Sequence, residues 1–264
     1  MYGTFQRRTP WEIQKSVILA LFIRELRVRF GHYKGGYIWM VLEPLAHVLI
    51  LSSIITFIRH RVLAGVDIPV FVVTGVVPFL LFKNIAIQVM ESAEASKALF
   101  TYRQVRPMDV FLGRTILNSV ISLGVFAIML TALAWLGMDV PFADPMMVLI
   151  VFALLILLGL GLGMILCVFV YLMPEVKNLM RLMFMPLYLI SGIIYPITSI
   201  NPTLLEYVMW NPVLHAVETL RVSFFVSYHS VTGISLTYVS VIALVLMLLG
   251  MAMYSKKRFE LMAS

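Results

Sequence analysis

The sequence predicts an all-α integral membrane protein, from its composition, the length of its apolar segments and the placement of its charges. Of its 264 residues, 61% are hydrophobic and 12% are charged, whereas a soluble domain is about half apolar and a quarter charged. A helix needs ~20 mostly apolar residues to cross ~30 Å of hydrocarbon. Six segments predict transmembrane helices, at residues 38–58, 69–90, 110–137, 146–171, 179–196 and 234–254. We expect a single membrane domain over residues 1–264.

The residues ahead of the first segment predict an amphipathic helix over residues 9–34. Thr9, Pro10 and Glu12 are typical of a helix start, with Thr9 as N-cap, Pro10 at the first helical position and Glu12 closing a capping box. One side of this helix is apolar and carries Leu19, Phe22, Ile23, Leu26 and Phe30. Arg24 and Arg27 point away from that side. Such a helix lies in the membrane interface with its basic side toward lipid headgroups, and packing on a soluble partner is the alternative.

The basic residues predict the orientation. Nearly all of the 20 lysine and arginine residues fall on one side of the six segments, and the exceptions are Arg59, Arg61, Lys83 and Arg221. By the positive-inside rule, both termini face the cytoplasm. The net charge of +7 is therefore attributed to orientation, and no nucleic-acid partner is expected.

The stretch 201–225 predicts two half-helices that re-enter the outer leaflet. Residues 201–210 and 211–225 each open with Asn-Pro, in which Asn is a favoured N-cap and Pro fits the first helical position. At ~1.5 Å per residue the two runs span about 15 and 22 Å, so neither crosses a bilayer. We expect an extracytoplasmic gate over residues 197–230, in which Glu218 and Arg221 pair on one helical face. A structural lid without gating is the alternative.

The remaining polar residues favour no catalytic, metal or cofactor site in this chain. Cys167 is the single cysteine, which excludes an internal disulfide and a multi-thiolate metal site. No P-loop or HExxH motif is present. Glu43 and His47 lie four apart in the first segment, where a helix-packing role and a proton relay both remain open. The Gly-x-Gly-x-Gly at 159–163 indicates close helix packing or flexibility.

Several motifs together resemble a known family. Residues 24-RELRVRFGHYKGGYIWMVLEPL-45, 192-GIIYP-196 and 211-NPVLHAVETLR-221 resemble the permease subunits of ABC exporters for capsular polysaccharide and O-antigen. The stretch from Tyr102 to Asp109 resembles the exit of the coupling helix in that family. The resemblance covers nearly the whole chain in order, length and topology, and leans toward the capsule branch.

The resemblance implies a half-transporter in a bacterial inner membrane. Two copies of this chain would assemble with two copies of a separate ATPase that binds ATP and Mg, and would move a lipid-linked acidic polysaccharide toward periplasmic and outer-membrane export proteins. Teichoic-acid and O-antigen exporters are close alternatives. The sequence lacks the coupling charges and inverted repeats that a secondary transporter would need. A membrane enzyme or scaffold is a further alternative.

The resemblance also implies three sets of functional residues. The coupling helix would lie in residues 91–106, for which a plain solvated loop is the alternative, and its coupling residues would be Glu91, Glu94, Lys97, Phe100, Tyr102 and Arg103. The substrate entrance, an interfacial gate among membrane lipids, would use Arg24, Glu25, Arg27, Arg29, Lys34, Tyr37 and Trp39. The outer gate would use Asn211, Pro212, His215, Glu218 and Arg221.

Overall fold

Every regular element that the structure describes is helical. The computed structural model describes residues 9–30, 36–58, 66–96, 105–226 and 228–263. The α-helices in these ranges are α1 (Pro10–Phe30), α2 (Gly36–Ile58), α3 (Ile68–Met90), α4 (Ser92–Ala95), α5 (Pro107–Trp135), α6 (Pro145–Leu172), α7 (Lys177–Ile190), α8 (Pro202–Val208), α9 (Pro212–Phe224) and α10 (Leu236–Ala263). Short 3₁₀ turns precede α7 and α8, at Pro174–Val176 and Ile197–Ser199.

Four of the described helices are long and apolar enough to cross a membrane. They are α3, α5, α6 and the Leu236–Arg258 part of α10, and they match the second, third, fourth and sixth predicted segments. Helix α2 forms over the first predicted segment with 23 residues, and the part of it that can be compared with a membrane span, Leu42–Phe57, covers only residues with described side chains. The count of six spans therefore stays a prediction.

The predicted fifth segment, residues 179–196, is not one continuous helix. Helix α7 has 14 residues, which gives a length of about 21 Å, less than the ~30 Å of a bilayer core. It ends at Ile190, and Gly192 follows with φ +66°. That left-handed conformation is open to glycine at little cost and breaks the helix. The apolar residues up to Tyr195 conceal this break in the sequence.

Close packing of α6 on its neighbours supports the centre of the fold. A Cβ atom at Gly159 would lie 2.9 Å from the carbonyl oxygen of Phe82 in α3, and one at Gly161 would lie 2.7 Å from the backbone nitrogen of Met247 in α10. Alternate glycines thus face α3 and α10, and both neighbouring backbones come closer than any side chain would allow. The packing interpretation of the glycine motif is confirmed.

Contacts between helix termini define two ends of the bundle. The backbone N–H of Asp139 donates to Asp67 Oδ2 at 2.8 Å, and that of Asp144 donates to the Ser223 carbonyl at 2.8 Å. These contacts join the start of α3 to the loop after α5, and the start of α6 to the end of α9. At the opposite end, the Tyr171 hydroxyl donates to the Glu260 carbonyl at 3.3 Å. After the predicted orientation, we call the first the outer end and the second the cytoplasmic end.

Helix α1 begins as predicted and packs on α5 through the side opposite its predicted apolar face. The Thr9 N–H donates to Glu12 Oε2 at 2.9 Å and the Glu12 N–H donates to Thr9 Oγ1 at 3.4 Å, which confirms the capping box. Among the described side chains of this helix, the buried one is Leu21, which lies against Gly113 of α5, whereas Leu19 and Ile23 of the predicted apolar face are 55% and 42% exposed. Leu19 and Ile23 therefore point away from α5, and the placement of the predicted apolar face in the membrane interface stays a prediction.

Candidate functional site

Helix α9 begins with the predicted N-cap and is enclosed by the bundle. The Asn211 side chain accepts a hydrogen bond from the Val213 N–H at 3.0 Å and donates to Ser191 Oγ at 2.9 Å. Pro212 occupies the first turn of the helix, as expected. The shorter α8 has the same cap, since Asn201 accepts from the Thr203 N–H at 3.1 Å. Both predicted helix starts are confirmed.

The predicted pair of Glu218 and Arg221 forms inside the protein. Arg221 Nη1 lies 3.0 Å from Glu218 Oε1, and both side chains are 0% exposed. The hydroxyl of Tyr228 donates to both carboxylate oxygens, at 3.0 and 2.8 Å, and that of Ser230 donates to Oε2 at 2.8 Å. A buried charge pair needs such additional hydrogen bonds to offset its desolvation. Three donor groups, from Arg221, Tyr228 and Ser230, therefore surround the Glu218 carboxylate.

Arg221 connects α9 to the end of α7 and to α3. Its Nη1 donates to the Gly192 carbonyl at 2.6 Å and its Nη2 donates to the Ile193 carbonyl at 2.9 Å. The guanidinium carbon lies 3.7 Å from the ring centroid of Phe71, a cation–π arrangement. A Cβ at Gly75 would lie 2.8 Å from Nη2, so only a glycine there leaves room for the guanidinium. Gly75 lies about 10 Å along α3 from its outer end at ~1.5 Å per residue, which places the guanidinium within the helical bundle.

His215 is held in one hydrogen-bonding arrangement. Its Nε2 lies 2.7 Å from the Met209 carbonyl oxygen, and its Nδ1 accepts from the Ser235 N–H at 3.1 Å. A carbonyl only accepts and a backbone N–H only donates, so these contacts fit the neutral ring with the proton on Nε2. The imidazole thereby joins the turn before α9 to the start of α10. All five residues predicted for the outer gate lie on α9 or at its cap.

The cytoplasmic end carries two ion pairs that the sequence did not predict. Glu91, at the junction of α3 and α4, accepts from Arg181 of α7, with Oε1 lying 2.6 Å from Nε and 2.5 Å from Nη2. Glu94 pairs with Lys177, one turn earlier on α7. Both glutamates were predicted to couple to an ATPase, and in the structure their carboxylates pair with basic side chains of α7. The other predicted coupling residues lie outside the described residues and are Lys97, Phe100, Tyr102 and Arg103.

Residues predicted for the substrate entrance are only partly described. Arg24 is half-buried, Arg27 is exposed, and Glu25 Oε1 lies 3.0 Å from Nε of Arg114 in α5. Nη1 of Arg114 also donates to the Gln88 carbonyl near the end of α3, at 2.7 Å. Lys34 and the side chains of Arg29, Tyr37 and Trp39 lie outside the described residues. Helix α1 is thus joined through Arg114 to the cytoplasmic end of α3, directly before Glu91.

His47 of α2 has a partner on α7. Its Nε2 lies 2.8 Å from the hydroxyl oxygen of Tyr188. On the open side of α2, a shallow groove of about 620 Å³ runs past Glu43 and His47. This contact agrees with the helix-packing interpretation of His47. Among the described residues, no group of three or more His, Cys, Asp or Glu side chains could hold a metal ion.

The family model described as "ABC-2 type transporter" matches residues 16–225. The chain belongs to the ABC-2 type transporter family. Among curated proteins, the chain is 35% identical over 258 residues to the polysialic acid transport protein KpsM of Escherichia coli, covering 97% of this chain and 99% of that protein. It is 28% identical over 255 residues to the capsule polysaccharide export inner-membrane protein CtrC of Neisseria meningitidis serogroup B, covering 93% and 94%. It is also 28% identical over 244 residues to the capsule polysaccharide export inner-membrane protein BexB of Haemophilus influenzae, covering 91% of each chain.

The family membership confirms the resemblance drawn from the N-terminal and Asn-Pro motifs. Sequence reasoning missed the partners of the predicted residues. Tyr228 and Ser230 bond Glu218, and Arg181 and Lys177 of α7 pair with Glu91 and Glu94. A local signal existed for the second set, since two acids three apart at 91 and 94 match two bases four apart at 177 and 181. No local signal pointed to Tyr228, because it lies in the irregular segment after α9.

Proposed function

We propose that this chain is the transmembrane subunit of an ATP-driven exporter that moves lipid-linked capsular polysaccharide across the bacterial inner membrane. The observation that carries the proposal is the near-complete coverage, at 35% identity, of a protein named for polysialic acid transport. The relatives from Neisseria and Haemophilus are named capsule export inner-membrane proteins. Similarity from end to end supports a shared role better than similarity confined to one segment would.

The chain is the permease and not an enzyme. The sequence carries no P-loop, so ATP and Mg belong to a separate ATPase, in two copies per exporter. The described apolar helices support a multi-pass protein of the inner membrane. In the proposed topology α2 is the first span and α7 forms the fifth together with the non-helical residues 191–196. Helix α1 lies in the interface, and both termini face the cytoplasm.

A second copy of the chain completes the transporter. Helix α7 supports this proposal, because Phe184 is its buried side chain and most of its other apolar side chains are exposed. The groove past Glu43 and His47 opens on the neighbouring surface of α2. A second copy placed against α2 and α7 would cover apolar surface and enclose a path for the polymer between the two chains. Periplasmic and outer-membrane export proteins would continue that path.

The buried network around Arg221 supports the outer-gate assignment of α9. Irregular backbone within a membrane is tolerated only where protein or a watery cavity covers it. The turn at Gly192 and Ile193 meets this condition, because its carbonyls accept hydrogen bonds from Arg221. In the proposed exporter, α9 closes the outer end of the path until the polymer passes.

Deleting the gene in its host and locating the surface polysaccharide by immuno-electron microscopy tests the function. We expect polymer to accumulate in the cytoplasm below a bare surface, and a plasmid copy of the gene to restore the capsule. A normal capsule would contradict the proposal, and staining for O-antigen and teichoic acid would then identify another exported glycan. Loss of polymer both inside and outside would also contradict it, and would indicate a role in synthesis.

A further inference from the structure

Helix α7 is attached to the rest of the chain along a single stripe. Lys177, Arg181, Phe184 and Tyr188 follow one another at intervals of four, three and four residues, so they share one face of the helix. Phe184 contacts Phe82 of α3 with ring centroids 5.9 Å apart. The other faces carry exposed apolar side chains, which are Leu179, Leu182, Met183, Met185, Leu189 and Ile190.

The cytoplasmic part of this stripe is a two-point ionic bridge. Arg181 directs two nitrogens at one oxygen of Glu91, and Lys177 pairs with Glu94 one turn away. Because Glu91 lies at the α3–α4 junction, Glu94 lies in α4 and the two bases lie on successive turns of α7, the bridge fixes both the position and the rotation of α7. Of the five ion pairs described, these two join the same two segments, α7 and residues 91–94.

The far part of the stripe keeps α7 against α3 up to its end. Tyr188 packs edge-on against Phe79 with centroids 5.1 Å apart and bonds His47 of α2. Pro186 lies between Phe184 and Tyr188 and removes a backbone hydrogen bond there, so the two rings support α7 where its own bonding is weakest.

The end of α7 is held by α9. The carbonyls of Gly192 and Ile193, directly after the helix, accept both terminal nitrogens of Arg221. Helix α7 therefore has charged contacts at each end. One end lies on the predicted coupling region and the other on the predicted outer gate, and the helix between them is about 21 Å long.

We propose that α7 transmits movement of the coupling region to α9, with Glu91 and Glu94 acting as positioning residues through Arg181 and Lys177. This inference rests on the proposed exporter function. Partly exposed ion pairs contribute only ~0.2–1 kcal/mol to stability, so the bridge acts by fixing α7 in place and contributes little to holding the fold together. Breaking it should impair export much more than it lowers the amount of folded protein.

A charge-swap cycle in the complete exporter tests this inference. The variants are Glu91→Arg, Arg181→Glu and the double swap, each produced in the host with its ATPase. The control is the swap of Lys257 and Glu260, a partly exposed pair at 2.8 Å within α10 that joins no two helices. For each variant we would measure the membrane level of the chain, the ATPase activity of the purified complex and the polysaccharide on the surface.

Each single reversal is expected to reduce surface polysaccharide by roughly 2- to 30-fold, the range for residues that carry coupling between sites, with ATPase activity within about twofold of wild type. The double swap should restore most of the export, and the control swap should change nothing. Where a reversed variant accumulates poorly, Glu91→Gln and Arg181→Gln replace it. Their double variant should then lose no more export than either single change, because each change breaks the same contact.

Two results would overturn the inference. A double swap that exports no better than the single reversals would show that the contact does not carry the movement. A loss of ATPase activity parallel to the loss of export, unrescued by the swap, would place Glu91 at the ATPase itself. Both results leave the exporter function intact, since the wild-type chain still exports, and only the gene deletion tests that function.

Discussion

Replacing Gly161 with alanine should push α6 and α10 apart. A Cβ at this position would lie 2.7 Å from the backbone nitrogen of Met247 and 2.8 Å from the carbonyl carbon of Leu246. Ordinary contacts begin at 3.4 Å, so the helices must separate by roughly 0.7 Å at their crossing. Both neighbouring atoms belong to helix backbone, so no side chain can rotate to make room. Overpacking of this kind costs ~1–3 kcal/mol.

Gly124→Ala is the matched control for this change. A Cβ at Gly124 of α5 meets nothing within 4 Å, and both glycines lie inside long helices. The gain in helix propensity, ~1 kcal/mol, is therefore shared, and the difference between the two variants isolates the steric cost. At ~2–4 °C per kcal/mol for a chain of this size, thermal unfolding in detergent should place Gly161→Ala roughly 2–12 °C below Gly124→Ala. Equal midpoints would refute the close crossing of α6 and α10.

Three further changes test the polar contacts. Glu218→Gln should destabilise the protein by ~3–5 kcal/mol because it leaves the Arg221 charge buried and unpaired, and adding Arg221→Met should recover part of that loss in the same thermal assay. Asn211→Ala should lower the free energy of unfolding by ~1 kcal/mol and Asn201→Ala by less, since α8 is mostly exposed; equal losses in denaturant titrations would contradict the buried cap. Arg114→Ala removes the ion pair that holds α1 on α5, so hydrogen exchange in α1 should accelerate while exchange in α10 stays constant, and unchanged exchange in α1 would count against that contact.

The predictable parts of the outer gate are those encoded within one turn of helix. Asn211 precedes Pro212, and Glu218 lies three residues before Arg221, so a cap and an ion pair follow from local spacing alone. The same is true of the capping box at the start of α1. Such contacts involve neighbours in sequence, and tertiary packing has little freedom to rearrange them.

The remaining contacts depend on which helices meet in space. Glu91 and Arg181 are 90 residues apart, and only the packing of α7 on α3 brings them together. The break at Gly192 was hidden because hydropathy counts apolar residues and is insensitive to the sign of φ. The side of α1 that packs on α5 could not be predicted for a related reason, since periodicity locates an apolar stripe but does not identify which neighbouring helix offers Gly113 to Leu21.

The enclosure of α9 has a consequence for biogenesis. Its charged pair is covered on one side by α3, where Phe71 lies under the guanidinium, and its cap region is covered by α10, where the Tyr238 hydroxyl donates to the Trp210 carbonyl at 2.9 Å. Helix α3 is synthesised before α9, and α10 is synthesised after it. A ribosome-bound chain that ends before α10 therefore lacks the helix that covers the cap region of α9. We expect α9 to take its final place only after α10 has been inserted, so that insertion of α10 is the step that commits the nascent chain to a folded subunit.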